Sequence, residues 1–422
     1  MKVPKLAKQL LGTFLGCSPL LAVDIDINGS IAQTFVKTSA NQEDWSTLSN
    51  TNTGSFEFSE ILIGTSAQLN DKCRAGAQLI SRDFGSLGNF ETQLDYGYGD
   101  YRFDDRLGFR AGKMKLPKGL YNETRDIDGA RTNILLDQGM YPEDWRGFIN
   151  SYQGLGVYGT FDEEDIKKGS LEYQLFFGTI NIPSDFYVIS NLRNNIDDRF
   201  EKLETKSLGG LELAYFPPFL ENLKLKGSLL KWQGSADMYM YQQNGFNAVS
   251  AFNTAYGTSL NAGRIDKALQ LDFDSYELGF EYLFKKMTLF AEYQKVYVRA
   301  NFAQDVERAQ ATVANTPVVN PALSQAITAL PQAMDIYDAD TFSWNAGVNY
   351  QWFERFQTRI AYSNEKANKD VSDCVHRTTL SLRYDFNRYM IGKLEYTDYY
   401  SDKKVVSDDH YGLFLARLGF SF

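Results

Sequence analysis

The sequence predicts an all-β fold, a transmembrane antiparallel β-barrel of about sixteen strands, and three observations predict it. Apolar and polar residues alternate at a period of two along most of the 422 residues, as in strands with one apolar face. The connections between these runs are long and short in turn. The chain is hydrophilic yet rich in Tyr, Phe and Gly (26, 30 and 33 residues), and no apolar run reaches the roughly eighteen residues that a membrane helix needs.

The elements follow in order. Lys2, Lys5 and Lys8 precede a short apolar core, Leu10 to Leu21, and Ala22 suits the last position before cleavage. This predicts a secretory signal over 1–22 and the barrel over 23–422, although Leu20 is larger than its place before the cut prefers. Removing three lysines leaves 40 basic against 53 acidic residues, a balance that argues against nucleic acid as a partner. Two His and three Cys offer little for a histidine-based metal site or a disulfide framework, so no metal and no cofactor are expected.

Sixteen alternating runs fall near 25–37, 56–69, 73–82, 90–103, 106–116, 152–161, 170–179, 206–216, 223–232, 271–284, 287–298, 341–352, 355–363, 376–386, 389–399 and 411–422. The clearest holds Phe342, Trp344, Ala346, Val348, Tyr350 and Trp352, with Ser343, Asn345, Gly347, Asn349 and Gln351 between them. A helix would scatter these polar residues around its surface, whereas a strand gathers them on one face. In 170–179, Phe176 interrupts the polar side.

Short connections at Asn70–Lys72, Asp104–Asp105, Lys285–Lys286, around Glu354 and at Asn387–Arg388 predict periplasmic turns. Long ones at 117–151, 180–205, 233–270 and 299–340 predict extracellular loops. Within these loops Asn247 to Tyr256 and Ala322 to Leu330 read as short helices. Cys73, after a turn, and Cys374, in an outer loop, are expected to stay unpaired. An apolar band about 25 Å tall separates them, and a disulfide spans at most about 7 Å between Cα atoms.

The last run alternates Phe414, Ala416, Leu418, Phe420 and Phe422 with Leu415, Arg417, Gly419 and Ser421. Phe414, Leu418, Phe420 and Phe422 resemble the C-terminal assembly signal of bacterial outer-membrane proteins. Arg110-Ala-Gly-Lys113-Met-Lys115-Leu-Pro-Lys118-Gly-Leu-Tyr-Asn-Glu123, running on to Met140-Tyr-Pro-Glu143, resembles a stretch of Gram-negative outer-membrane porins of the sixteen-stranded kind. The resemblance implies a channel for passive diffusion of small hydrophilic solutes or ions, located in the outer membrane and commonly a homotrimer. It implies outer-membrane lipid, lipopolysaccharide and the barrel assembly machinery as partners, and no enzymatic activity. The absence of an extended plug before the first strand argues against an energy-coupled transporter or a fatty-acid channel.

In such porins the loop after the fifth strand folds inward, which makes 117–151 the expected constriction loop. Its charges, Lys118, Arg125, Asp126, Asp128, Arg131, Glu143, Asp144 and Arg146 among them, would set a transverse field. Strand parity adds Arg106, Arg110, Arg383 and Arg417 to the pore lining, and Lys113 stands beside Arg110. Parity also turns Glu172, Glu212, Glu277, Glu281, Glu292, Arg359, Arg377, Lys393 and Glu395 inward, because charges facing lipid at mid-membrane are costly. Arginine forks suit carboxylates, phosphates and sulfates, so anion preference is the expectation, against a chain that is acidic overall. The competing classes are a barrel enzyme of lipase or protease type, for which only His376 and His410 could serve as bases, and an adhesive or structural surface barrel. An external Ca²⁺ site at Asp335, Asp338 and Asp340, with Asp305 and Glu307 further back, lacks the glycine that an EF-hand requires.

Overall fold

The computed structural model describes residues 24–39, 52–85, 87–162, 169–181, 198–240, 251–256, 265–304, 333–366, 374–402 and 410–422, with residues 315, 321, 322 and 325. The signal segment 1–22 and nearly all of 322–330 lie outside the described residues.

Sixteen strands form one closed antiparallel sheet: β1 (Asp24–Thr38), β2 (Phe58–Gln68), β3 (Cys73–Phe84), β4 (Leu87–Asp104), β5 (Leu107–Lys115), β6 (Ser151–Phe161), β7 (Ser170–Thr179), β8 (Asp198–Phe216), β9 (Leu223–Met240), β10 (Ile265–Phe284), β11 (Met287–Gln304), β12 (Ala333–Phe353), β13 (Phe356–Lys366), β14 (Cys374–Asn387), β15 (Met390–Ser401) and β16 (His410–Ser421). Each strand pairs with its neighbours in sequence, and β1 pairs with β16, with Ile31 opposite Phe420, to close the barrel. Closure leaves no edge strand, which a lipid setting requires.

Alternation decides which face is which. Along β10, Tyr276 and Leu278 are 46% and 67% exposed on the outside, while Glu277 between them is 3% exposed. Turning an arginine or lysine to the lipid side would cost about 2–4 kcal/mol at mid-membrane, and an acid such as Glu277 somewhat less. Phe414, Leu418 and Phe420 face outward with them, and Phe422 exchanges backbone hydrogen bonds with Gly29.

Several strands are longer than the alternation indicated. β9 runs to Met240, β10 begins at Ile265, β11 reaches Gln304 and β12 begins at Ala333. A strand needs only about 9–11 residues to cross the apolar band, so the 20 and 21 residues of β10 and β12 project beyond it. Asp335, Asp338 and Asp340 therefore lie in β12 rather than in a loop. At the end of the barrel that carries the long loops, β3 ends at Phe84 and β4 begins at Leu87, an exception to the segregation of loop lengths. The expected helix within Asn247–Tyr256 is found over 251–256, with Phe252 fully buried. Cys73 and Cys374 are free thiols at opposite ends of the barrel.

Candidate functional site

Loop 116–150, which joins β5 to β6, runs inside the barrel and is tied to its wall in three directions. Its two ends are held together first. The Leu116 amide donates to the Asn150 carbonyl, and Asn122 Nδ2 donates to the carbonyls of Leu116 and Ile149, each at 2.9 Å.

The first limb meets β9, β10 and β11. The Gly119 amide donates to Glu277 at 3.1 Å, and the Leu120 amide donates to Glu292 at 2.7 Å. Lys118 Nζ sits 3.3 Å from Glu277 and donates to the Met140 carbonyl. Tyr121 donates to Glu281 at 3.0 Å, and Tyr141 donates to Glu292. Gly119 has φ of +55°, and a Cβ there would lie 2.3 Å from Tyr141 Oη, so the position requires glycine.

The middle limb includes a 3-10 turn, Asp128–Ala130, and meets β14, β15 and β16. Lys393 donates to the Asp128 carboxylate at 2.8 Å and to its carbonyl at 2.7 Å. Arg383 donates to the Gly129 carbonyl, and Glu395 accepts the amides of Ile134 and Leu135. The side chain of Ile134 enters an apolar cluster with Val36, Phe58, Phe84, Tyr399, Leu413 and Leu415.

The last limb ends in the single-turn helix α1 (Arg146–Ile149). Phe148 packs edge-on against Trp232 and Phe273 on the inner wall, at 4.9 and 5.1 Å between ring centroids. Beside it run two chains of alternating charges, one from Asp95 to Arg146 and one from Arg125 to Lys393. Lys115 pairs with Asp95 and Asp126, Arg146 with Asp126, Arg125 and Arg82 with Glu143, Arg82 and Arg417 with Glu60, and Arg417 and Lys393 with Asp128. Burial alone would raise the pKa of Asp126 and Glu143. The surrounding cations outweigh it, chiefly Arg146 and Lys115 for Asp126 and Arg82 and Arg125 for Glu143, and hold both below the usual carboxylate range. Asp144 has no such partners among the described residues, and burial pushes it up to about 6.

Asp95, Lys115, Glu60 and Arg82 are absent from the sequence-predicted set. The register shift between β3 and β4 pairs Tyr96 with Gln78 and Leu94 with Leu79, which leaves Asp95 without a ladder partner. That bulge aims its carboxylate inward at Lys115 (2.7 Å) and Asn150 (2.7 Å). The acid between Leu94 and Tyr96 was the available signal.

Two expected pore residues lie elsewhere. Arg106 occupies the turn between β4 and β5, where its carbonyl accepts the Tyr173 hydroxyl, because the strand begins one residue later than the alternation suggested. Lys113 shares the outward parity of Phe109 and Ala111, opposite to inward Met114, and its Nζ reaches the Leu94 carbonyl. Arg110 does face inward. Asp100 pairs with it at 3.0 Å, and it stacks between Tyr158 and Tyr98.

The loop divides the described interior into cavities. One of about 260 Å³, toward the short-turn end, is lined by Arg131, Lys285, Lys286, Arg359 and Glu281 among others. Another of about 190 Å³, toward the long-loop end, is bordered by Lys118, Trp145 and Glu365. Between them is a space of about 30 Å³ that Arg359, Asp137 and Arg377 line. Arg359 Cζ sits over the Phe290 ring, 4.0 Å from its centroid. Nε and Nη1 of Arg377 have no hydrogen-bond partner among the described residues.

Solved structures share this architecture. An anion-selective porin of Comamonas acidovorans is 11% identical and matches with a TM-score of 0.51, over 95% of this chain and 100% of that one. OmpF of Salmonella typhi, solved with daunomycin, is 11% identical with a TM-score of 0.53, over 94% and 97%. The fold is that of the outer-membrane porins. A loop L8 deletion mutant of OmpT, an outer-membrane protein of Vibrio cholerae, gives 12% identity and a TM-score of 0.52, over 95% and 100% of the two chains. No protein-family model matches the sequence, and no curated protein matches it. At these identities the porin likeness establishes the barrel, while its charges must be read from this chain alone.

Proposed function

We propose that this barrel is a water-filled diffusion channel of the Gram-negative outer membrane, with loop 116–150 as its constriction and a preference for small anionic solutes. The observation that carries the reading is the loop itself. Its backbone amides and carbonyls are bonded to wall residues on β10, β11, β14 and β15, so it is fixed across the lumen rather than lying over the mouth.

The charge inventory supports anion preference. Most cations of the loop and wall are neutralised by a carboxylate, as in the two charge chains beside Phe148. Arg359 and Arg131 have no carboxylate within ion-pair distance among the described residues. With Lys285 and Lys286 they face the larger cavity against the single acid Glu281. Fixed cations in a confined, poorly screened lumen raise the local anion concentration. His376 and His410 share the outward parity of Leu380 and Phe414, away from these cavities, which supports a channel over a histidine-based hydrolase.

The same reading places lipid and lipopolysaccharide on the outer face, the barrel assembly machinery as the folding partner, and a homotrimer as the working unit. Reconstitution in planar bilayers tests it. The expected result is a stable open channel with a reversal potential on the anion side under a KCl gradient, and a heat-sensitive oligomer on gels. Turnover of lipid or peptide without conductance would overturn it.

A further inference from the structure

We propose that Cys374, His376 and Asp402 form a binding site for a borderline-soft divalent cation, Zn²⁺ above all, on the outer rim of the barrel. Their donor atoms, one sulfur, one imidazole nitrogen and one carboxylate oxygen, all lie within 4.8 Å of one another. The strands dictate the convergence. Cys374 and His376 are two residues apart on β14 and so share a face. Asp402 follows β15 directly opposite Cys374, with its amide donating to the Cys374 carbonyl at 3.1 Å. The face is the outer one, since Tyr362 and Tyr400 beside His376 are exposed there. Although the chain contains only two histidines, one of them faces one of its three cysteines and an acid.

The imidazole is held in a ligand's orientation. Tyr362 Oη and Asn364 Nδ2 lie 2.7 and 3.0 Å from Nδ1, and Nε2 points at Asp402 Oδ2, 3.4 Å away. Metal-bound histidines are commonly fixed by a hydrogen bond donated from their second nitrogen, whereas Asn364 Nδ2 as placed donates to Nδ1 and must turn its oxygen there on binding. A cation at Nε2 places the proton on Nδ1, from which Tyr362 Oη and the reoriented Asn364 amide accept. Binding converts the Cys374 thiol to thiolate and releases its proton. Bonds of about 2.0–2.3 Å to N, O and S in a tetrahedron place the donors about 3.5 Å apart, so closure requires side-chain rotations of about an ångström. Three protein ligands leave one position for water. The sulfur selects Zn²⁺ or Co²⁺ over Mg²⁺ and Ca²⁺, which prefer oxygen.

The test uses the purified, folded full chain in detergent, with Co²⁺ as a spectroscopic probe and Zn²⁺ as a competitor. One Co²⁺ per chain with a thiolate-to-metal charge-transfer band, displaced by Zn²⁺ and unaffected by Mg²⁺, is expected. Cys374→Ser should abolish the band, Cys73→Ser should retain it, and Tyr362→Phe should weaken binding about tenfold. Zn²⁺ should also slow alkylation of Cys374 in the unaltered protein, a readout that needs no variant to fold. A band that survives Cys374→Ser, or alkylation that Zn²⁺ leaves unchanged, would overturn the assignment.

Discussion

Lys393 on β15 holds Asp128 from two sides, with Nζ 2.8 Å from the carboxylate and 2.7 Å from the backbone carbonyl of the same residue. The lysine side chain is fully buried and the aspartate nearly so. Removing Lys393 leaves the Asp128 carboxylate to Arg417 alone, 3.6 Å away, and takes the donor from its carbonyl, so the loss should fall below the roughly 3–5 kcal/mol of a fully broken buried pair. Lys393→Met is therefore expected to release the middle limb of the loop while the barrel persists. Single-channel recordings should show excess open-channel noise, and limited proteolysis should cut within 128–135. A quiet channel with an uncut loop would show that the pair does not anchor the limb.

Arg359 and Arg110 make a matched comparison of a free and a neutralised cation. Arg359 rests on an aromatic ring beside the cavities, whereas Arg110 shares Asp100 with Arg74. Arg359→Gln is expected to move the reversal potential toward cations, and Arg110→Gln to move it less than half as far. Equal shifts would mean that the selective charges lie near β5 instead.

Gly119→Ala and Gly129→Ala separate a tight approach from an open one. A Cβ at Gly119 collides with Tyr141 Oη and lies 3.1 Å from Glu292, at a φ that costs an L-residue about 1–2 kcal/mol, whereas a Cβ at Gly129 meets nothing within 4 Å. Gly119→Ala should lower the temperature at which recordings become noisy, and Gly129→Ala should leave it unchanged. The reverse order would contradict the limb's placement on β11.

Much of the barrel was legible because a period of two leaves a strand only two faces. The deviations from it mark where the loop packs. Phe176, which interrupts the polar side of β7, is buried inside against Tyr152, and Leu415, on the polar side of β16, is fully buried beside Ile134. An apolar residue on the lumen side is thus the trace of a loop lying on it, though the sequence does not say which loop. The loop's charges were legible as a set, but their partners were not. Glu60, Arg82 and Asp95 come from the least regular early strands, and a bulge turns Asp95 inward. Arg106 falls in a turn because β5 begins at Leu107, and Lys113 has the outward parity of Phe109 and Ala111, which the alternation that turns Arg110 inward already implies.

Asp144 should give the channel a pH dependence. Burial holds its carboxyl at about 6, above its ordinary value of 3.8, with Glu365 and Glu143 adding repulsion. A raised acid is protonated in the folded loop while the unfolded chain has already released its proton. Its contribution to stability is therefore full below 3.8 and lost as pH rises to about 6. Above that pH the loop gains one negative charge near the 190 Å³ cavity that Glu365 borders. Anion preference should accordingly weaken as pH rises from 5 to about 7, with a midpoint near 6. In Asp144→Asn the reversal potential should follow a flatter curve and stay near the low-pH value of the unaltered channel. Bilayer recordings across this range decide the matter: a midpoint near 6 that persists in Asp144→Asn would assign the titration to another group.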